Sequence, residues 1–586
     1  MRSWTLFLFA AALAAQPPAP EVTVRDETPT FQTKVNLVRV PVVVRDKQGH
    51  AVGGLRKQDF QLIDHGKPQY ISQFSIEGSA VPKPALQASA STPLEIPGAP
   101  AESPKLTAPT RFVAYVFDDY HLKLEDLMTV RKAALQHIEH GIPPQERVAL
   151  LTLSGRVGME FTDDMAKFRD ALMKVSPVPK VKHFPPASAY MAQRYADNPD
   201  NAVDSIEAAL TANPANVIKV IDGLPDTPTK VQLFITLDCL QMWGNGQEVV
   251  QAAEIARTTL REVAEEGEAE SASALRVFNA TVRLMSSMPG DRVIVLVSPG
   301  MYLISQLQRS LGESIDRATR AGIVVNTLDA RGVYVSDQTG EVPGCSLVQP
   351  RTTQQIQRFD REETLVQGLI LRDLADSTGG TFAAQNDFQA EFDRMASPPD
   401  YVYYLAFYPK DLRPDGTFHD IKVTLPASKG LTITARKGYW APSHDEDAAQ
   451  TATREITEAV FSRDEVHDLP IDLHTEFFKT SRDDAKATVI SHLDIGQLPL
   501  SKRDGRNRDD LTVVCAVFDR NGNFLEGRQT VVELRLTDEN MANRRAHGVA
   551  VNHEFDLKTG GYLVRVVARD AEGRQMAAVN EVVEIP

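Results

Sequence analysis

Cysteine is scarce. Three occur in 586 residues, Cys239, Cys345 and Cys515, and neither a multi-disulfide framework nor a zinc-ligand spacing can be built from them. An odd number leaves at least one thiol unpaired within a monomer. Cys239 and Cys345 fall in one predicted domain and are the one pair to consider, the alternative being three thiols. Positive charge is also short: Lys+Arg 63 against Asp+Glu 78 leaves a net charge of −15. No Lys/Arg run interrupts that deficit, which argues against nucleic acid as the main partner, because phosphate binding needs a basic face. No apolar run reaches the roughly 20 residues that span a bilayer, so membrane insertion is not expected. What remains is ordinary for globular domains, with hydrophobic residues at 42% and charged at 24%. The length exceeds what one core can fill and predicts about three or four domains.

The first residues read as an export signal. Arg2 precedes an apolar run from Trp4 to Ala14, and Ala12-Leu13-Ala14 supplies small residues at a cleavage site. Cleavage after Ala14 or Ala15 would place the mature protein in the periplasm or outside the cell. No cysteine follows the run, so lipid attachment there is excluded.

Beyond the signal (1–15), residues 30–77 carry short β-rich runs, Val35–Arg45 and Phe60–Ile63, punctuated by Asp/Gly turns. That pattern predicts a small N-terminal β-sandwich. Residues 78–110, rich in Pro, Ala and Ser, read as a linker. From 111 to 442 the pattern alternates. Phe112–Phe117, Arg147–Leu153, Arg292–Val297 and Ile323–Leu328 are continuous apolar runs, as expected of strands buried on both faces. Helical periodicity falls between them, at 124–140, 163–175, 247–288, 304–321 and 362–377. The interval 176–230, rich in Pro and Asn, reads as an insertion with one short helix at 201–212, and 335–358 as a polar loop. Strand–helix alternation predicts an α/β fold with a doubly wound, mostly parallel sheet. Tyr401–Tyr408 is read as a strand, and the β-rich runs at 421–425 and 431–435 are expected to extend the edge of that sheet. A charged connector (443–465) leads to strand-like runs over 466–586, which predict a C-terminal β-sandwich.

Several phrases then take on a family character. RFVAYVFDDYHL (111–122), ERVALLTLSG (146–155), PGDRVIVLVSPGM (289–301), AGIVVNTLDARG (321–332), LADSTGGTF (374–382) and YYLAFYP (403–409) resemble a von Willebrand factor A domain. With GLRKQDFQLIDHGKPQYISQFS (54–75) and ARKGYW (435–440), the chain resembles the secreted VWFA-related domain proteins of certain soil bacteria. The resemblance covers about residues 35–440. It implies a divalent ion at the carboxyl edge of the sheet, held by a D-x-S-x-S loop, a later Thr and a later Asp.

The sequence departs from that pattern. The loop after the first strand is Asp118-Asp119-Tyr120-His121-Leu122, with Tyr and Leu where the serines belong. The later strand ends in Ser298-Pro299-Gly300 without a carboxylate. A rebuilt site for Mg²⁺, Mn²⁺ or Ca²⁺ on Asp118, Asp119, His121 and Ser298 is one expectation. The other is that the two aspartates accept hydrogen bonds from loop amides and cap the next helix. His137 and His140 have a metal-like spacing without a third ligand. Ser154-Gly155 and Ser298-Pro-Gly300 each place a serine after a buried strand, but without the nucleophile-elbow form. Asp329-Ala-Arg331-Gly332 reads as a turn with an internal ion pair on the same rim. The expected function is that of an exported, non-enzymatic interaction or adhesion-like protein. Its partner is a protein, met by a rim of Asp118, Tyr120, His121, Ser154, Ser298, Asp329 and Arg331. The alternatives are a metal-dependent enzyme built on Asp118, Asp119 and His121, and a structural component of a cell-envelope assembly.

Overall fold

The computed structural model describes residues 21–27, 38–47, 51–77, 109–212, 217–300, 305–333, 350–396 and, with short interruptions, 401–586, together with parts of 342–349. The predicted signal and all but the end of the predicted linker lie outside these residues. The fold is mixed α/β, with a mostly parallel sheet and antiparallel sheets before and after it in sequence. The chain divides into two compact units. One holds the described residues between 32 and 463 together with 519–524; the other holds those between 1 and 31, 464–518 and 525–586.

The central sheet of the first unit has six strands: Arg111–Phe117, Glu146–Thr152, Gly158–Thr162, Asp291–Ser298, Ile323–Asp329 and Phe382–Ala383. Numbered along the chain they lie in the order 6-5-4-1-2-3, and only the third runs antiparallel. All seven residues of Arg111–Phe117 are buried, which is why this strand reads as an unbroken apolar run. Its alternate residues serve opposite faces. Val113, Tyr115 and Phe117 pack with Leu127, Val130, Phe168 and Phe392, from helices 124–137, 165–174 and 388–396. Phe112, Ala114 and Val116 pack with Phe278, Val282, Ala318 and Leu374, from helices 246–286, 305–320 and 350–378. Gly379 ends the last of these at φ 77°, a left-handed position that favours glycine.

Helix Gly246–Ser286 is unbroken through Gly267. A Cβ at Gly267 would meet nothing within 4 Å, so this half-buried glycine costs only about 1 kcal/mol of helix propensity. The inserted region is more helical than its composition suggests, with helices at 189–197, 202–212, 217–222 and 228–240. The last three carry a core with residues of the long helix, including Val203, Ile206, Leu233, Leu237 and Ala252, while Tyr190 and Met191 of the first pack with Val231 and Leu260. Helix Pro350–Thr378 starts inside the segment expected to be a loop. Cys239 and Cys345 are joined by a disulfide, with Cα atoms 4.7 Å apart. Cys515 is buried and free.

Two expectations about the flanking strands need correction. Strand Val402–Phe407 and the strands after it do not extend the central sheet, and strands 38–77 do not close a sandwich by themselves. Val38–Arg45 lies between Val402–Phe407 and Thr432–Ala435, and Gln61–Asp64 pairs with Phe418–Thr424. The segments complete each other as two four-stranded antiparallel sheets. Val38, Val40, Val42 and Val44, every second residue of one strand, share a core with Tyr403, Leu405, Phe407 and Tyr439.

The second unit is antiparallel. Strands 506–519, 524–536, 560–570 and 576–585 form the body of one sheet, and 471–479, 484–493 and 549–558 form another. Residues of both sheets, such as Val489, Val513, Val532 and Phe555, share one apolar cluster. Strand Val22–Glu27, from the start of the chain, adds to the first sheet by pairing with 529–534. Among the described residues no helix is long and apolar enough to cross a membrane.

Candidate functional site

Sequence order in the central sheet reverses between strands Arg111–Phe117 and Asp291–Ser298, which are hydrogen-bonded neighbours. The carboxyl end of such a reversal leaves a crevice where open α/β sheets bind ligands. Asp118 and Ser298 stand at that point, each at the end of its strand and each fully buried.

Asp118 is saturated by its own chain. Ser298 Oγ donates to its Oδ2 at 2.6 Å. His121 Nδ1 lies 2.9 Å from both carboxylate oxygens, and the His121 amide donates to Oδ1 at 3.2 Å. Burial pushes the Asp118 carboxyl up, but the His121 charge and the hydrogen bonds from His121 and Ser298 outweigh it and leave the group below its ordinary value. The Ser298 hydroxyl also accepts from the Gly300 amide at 2.9 Å, which fixes the Ser-Pro-Gly turn.

Asp119 points elsewhere. It accepts from the Ser154 amide at 2.9 Å and from Ser154 Oγ at 2.5 Å, tying the first strand's loop to the second's. Burial raises its pKa against the opposing pull of those bonds. Neither aspartate caps the following helix, whose N-cap is Lys123 without a side-chain bond; the loop-amide half of that expectation holds. Tyr120 is half-buried beside the core, its ring 6.4 Å from that of His121. Asp329 and Arg331 form the expected internal pair, with Nε and Nη2 donating at 2.9 and 2.7 Å, and Arg331 also donates to Gln367.

The four residues named for a metal therefore do not converge. Asp118, His121 and Ser298 form one closed cluster and Asp119 belongs to another. Among the described residues no group of three or more His, Cys, Asp or Glu is arranged to hold an ion. A hard divalent cation would have to displace an imidazole and a hydroxyl from Asp118, so these side chains do not fit the ion.

The same geometry bears on covalent chemistry. Asp118 stands between Ser298 and His121, and Ser154 bonds to Asp119, so neither serine touches an imidazole that could take its proton. His137 is engaged away from the rim, between Tyr115 Oη at 3.0 Å and Asp393 at 2.5 Å.

Sequence reading missed the neighbours of Asp119. A cavity of about 340 Å³ opens beside it, lined by Arg156, Val157, Gly158, Lys174 and Ser176. Its wall is the short antiparallel strand Gly158–Thr162, too short and too exposed to stand out in the hydrophobic pattern.

No family model matches the chain, and no curated protein does. Among solved structures, a β-glucosidase from Kluyveromyces marxianus aligns at 9% identity and a TM-score of 0.12. The alignment covers 53% of this chain and 33% of the β-glucosidase, so it spans about a third of that protein. A likeness that weak carries no argument.

Proposed function

We propose that this is an exported, non-enzymatic interaction protein that binds a protein partner through the carboxyl rim of a von Willebrand factor A-like sheet whose metal site has degenerated. The observation that carries the reading is the closure of the Asp118–His121–Ser298 cluster. It engages the central carboxylate of the rim with the chain's own imidazole and hydroxyl, and it leaves neither Ser298 nor Ser154 bonded to an imidazole. The strand order, with one antiparallel edge and helices on both faces, supports the finer description as a doubly wound sheet of that family. The Cys239–Cys345 disulfide is in keeping with an oxidising compartment, as is the apolar run at the N-terminus. The metal-dependent enzyme receives less support, because its two aspartates are engaged by different partners.

The test is site-specific photocrosslinking of the full chain. Tyr120→benzoylphenylalanine is compared with the same probe at Phe478, an exposed position on strand 471–479. Protein adducts from Tyr120 in an intact envelope preparation, absent from Phe478, support the rim. Adducts from both positions alike, or from neither, contradict it.

A further inference from the structure

Some cations of this acidic chain are answered by a neighbouring anion, as in Lys180–Glu270, Arg320–Asp316 and Arg394–Glu391. Two at the rim are not. The side chains of Arg156 and Lys174 are exposed and make neither an ion pair nor a hydrogen bond within the protein, and the Ser176 hydroxyl beside them has no partner either. Three unused donor groups thus share one cavity. Separate elements bring them there: Arg156 sits in the turn before the antiparallel edge strand, Lys174 at the last turn of helix 165–174, and Ser176 just after it. The carbonyl end of that helix favours a cation at Lys174. The floor is bare backbone at Gly158, where an added Cβ would meet nothing within 4 Å.

Only Val157 among the lining residues has an apolar side chain. The donors suit an anion, and the guanidinium can meet a carboxylate through two parallel bonds. Asp119 also lines the cavity, its oxygens turned to Ser154. Two cations beside one carboxylate leave a single excess positive charge, which matches a monoanion better than a phosphate dianion.

We propose that this cavity receives an acidic side chain of the protein partner, held by Arg156, Lys174 and Ser176. The proposal rests on the interaction reading above and adds the chemistry of the partner: an Asp- or Glu-bearing segment.

The experiment titrates the full chain with an acetylated, amidated Asp-Glu-Asp-Glu peptide and, separately, with inorganic phosphate. The parent is compared with Arg156→Gln/Lys174→Gln and with Gly158→Val, which fills the floor without altering charge. Saturable peptide binding should weaken about tenfold or more in the double variant and fade with added salt. Gly158→Val should weaken it similarly, with melting unchanged in both. Peptide binding indifferent to the variants, no peptide binding at millimolar concentration, or phosphate binding without peptide binding would each overturn the proposal. Rim adducts from Tyr120 that persist in the double variant would sink the pocket and leave the interaction reading standing.

Discussion

Ser298 reaches Asp118 with a 2.6 Å hydrogen bond across the point where the central sheet reverses its strand order. The two residues lie 180 positions apart, and His121 closes the cluster from the other side. In this account the rim's central carboxylate is a structural tie.

Removing that tie should destabilise the fold. Asp118→Ala leaves a buried imidazole and a buried hydroxyl without their acceptor, and a loss of about 3 kcal/mol is expected. Asp118→Asn keeps an oxygen for one of them and should lose less. Urea denaturation of the full chain measures both, and an unchanged midpoint for Asp118→Ala would refute the structural role.

The second unit should respond to acid through two residues of opposite sign. Burial holds His553 down at about 4, so the unfolded state takes up the proton first. Stability from this residue is lost as pH falls from about 6.5 toward 4, by up to about 3 kcal/mol. Asp509 behaves in reverse. Burial, with Asp570 beside it, raises it to about 6, so stability is lost as pH rises from about 4 to 6. Its Oδ2 is buried without a hydrogen bond. His553→Gln should flatten the acid-side loss, and Asp509→Asn should stabilise the unit at pH 7 by about 1–3 kcal/mol. Denaturation midpoints from pH 4 to 8 test both, and parallel curves for parent and variants would contradict them.

Reduction should loosen the inserted region. The Cys239–Cys345 bond closes a loop of 106 residues, and constraint of the unfolded chain is worth about 2–4 kcal/mol. Cys239→Ser/Cys345→Ser should unfold at lower urea than the parent. A reductant should move the parent to the variant's midpoint and leave the variant where it is.

How much of this was legible in the sequence follows from what each element is buried against. Arg111–Phe117 and Asp291–Ser298 are covered on both faces, so their apolar runs announce them, and Asp118 and Ser298 follow as the first polar residues past each run. The Asp329–Arg331 pair is local and was readable for the same reason. Strand pairing is a different matter. Nothing local in Val38–Arg45 says that it lies against Val402–Phe407, more than 300 positions away, because alternation sets which face is buried but not which neighbour covers it. The start of helix Pro350–Thr378 was missed because its first half is mostly polar. Ile356 and Phe359 are its apolar contacts with the insertion there, too sparse for a periodic signal. The Asp119 cavity was invisible because unpaired charge is a property of the fold, not of composition.

The most direct measurement is calorimetric titration of Mg²⁺, Mn²⁺ and Ca²⁺ into the full chain, with Asp118→Asn alongside. A carboxylate already engaged by His121 and Ser298 predicts no saturable binding at the rim up to millimolar ion, and identical traces for parent and variant. Micromolar binding lost in Asp118→Asn would contradict the account and restore a metal to the centre of the rim.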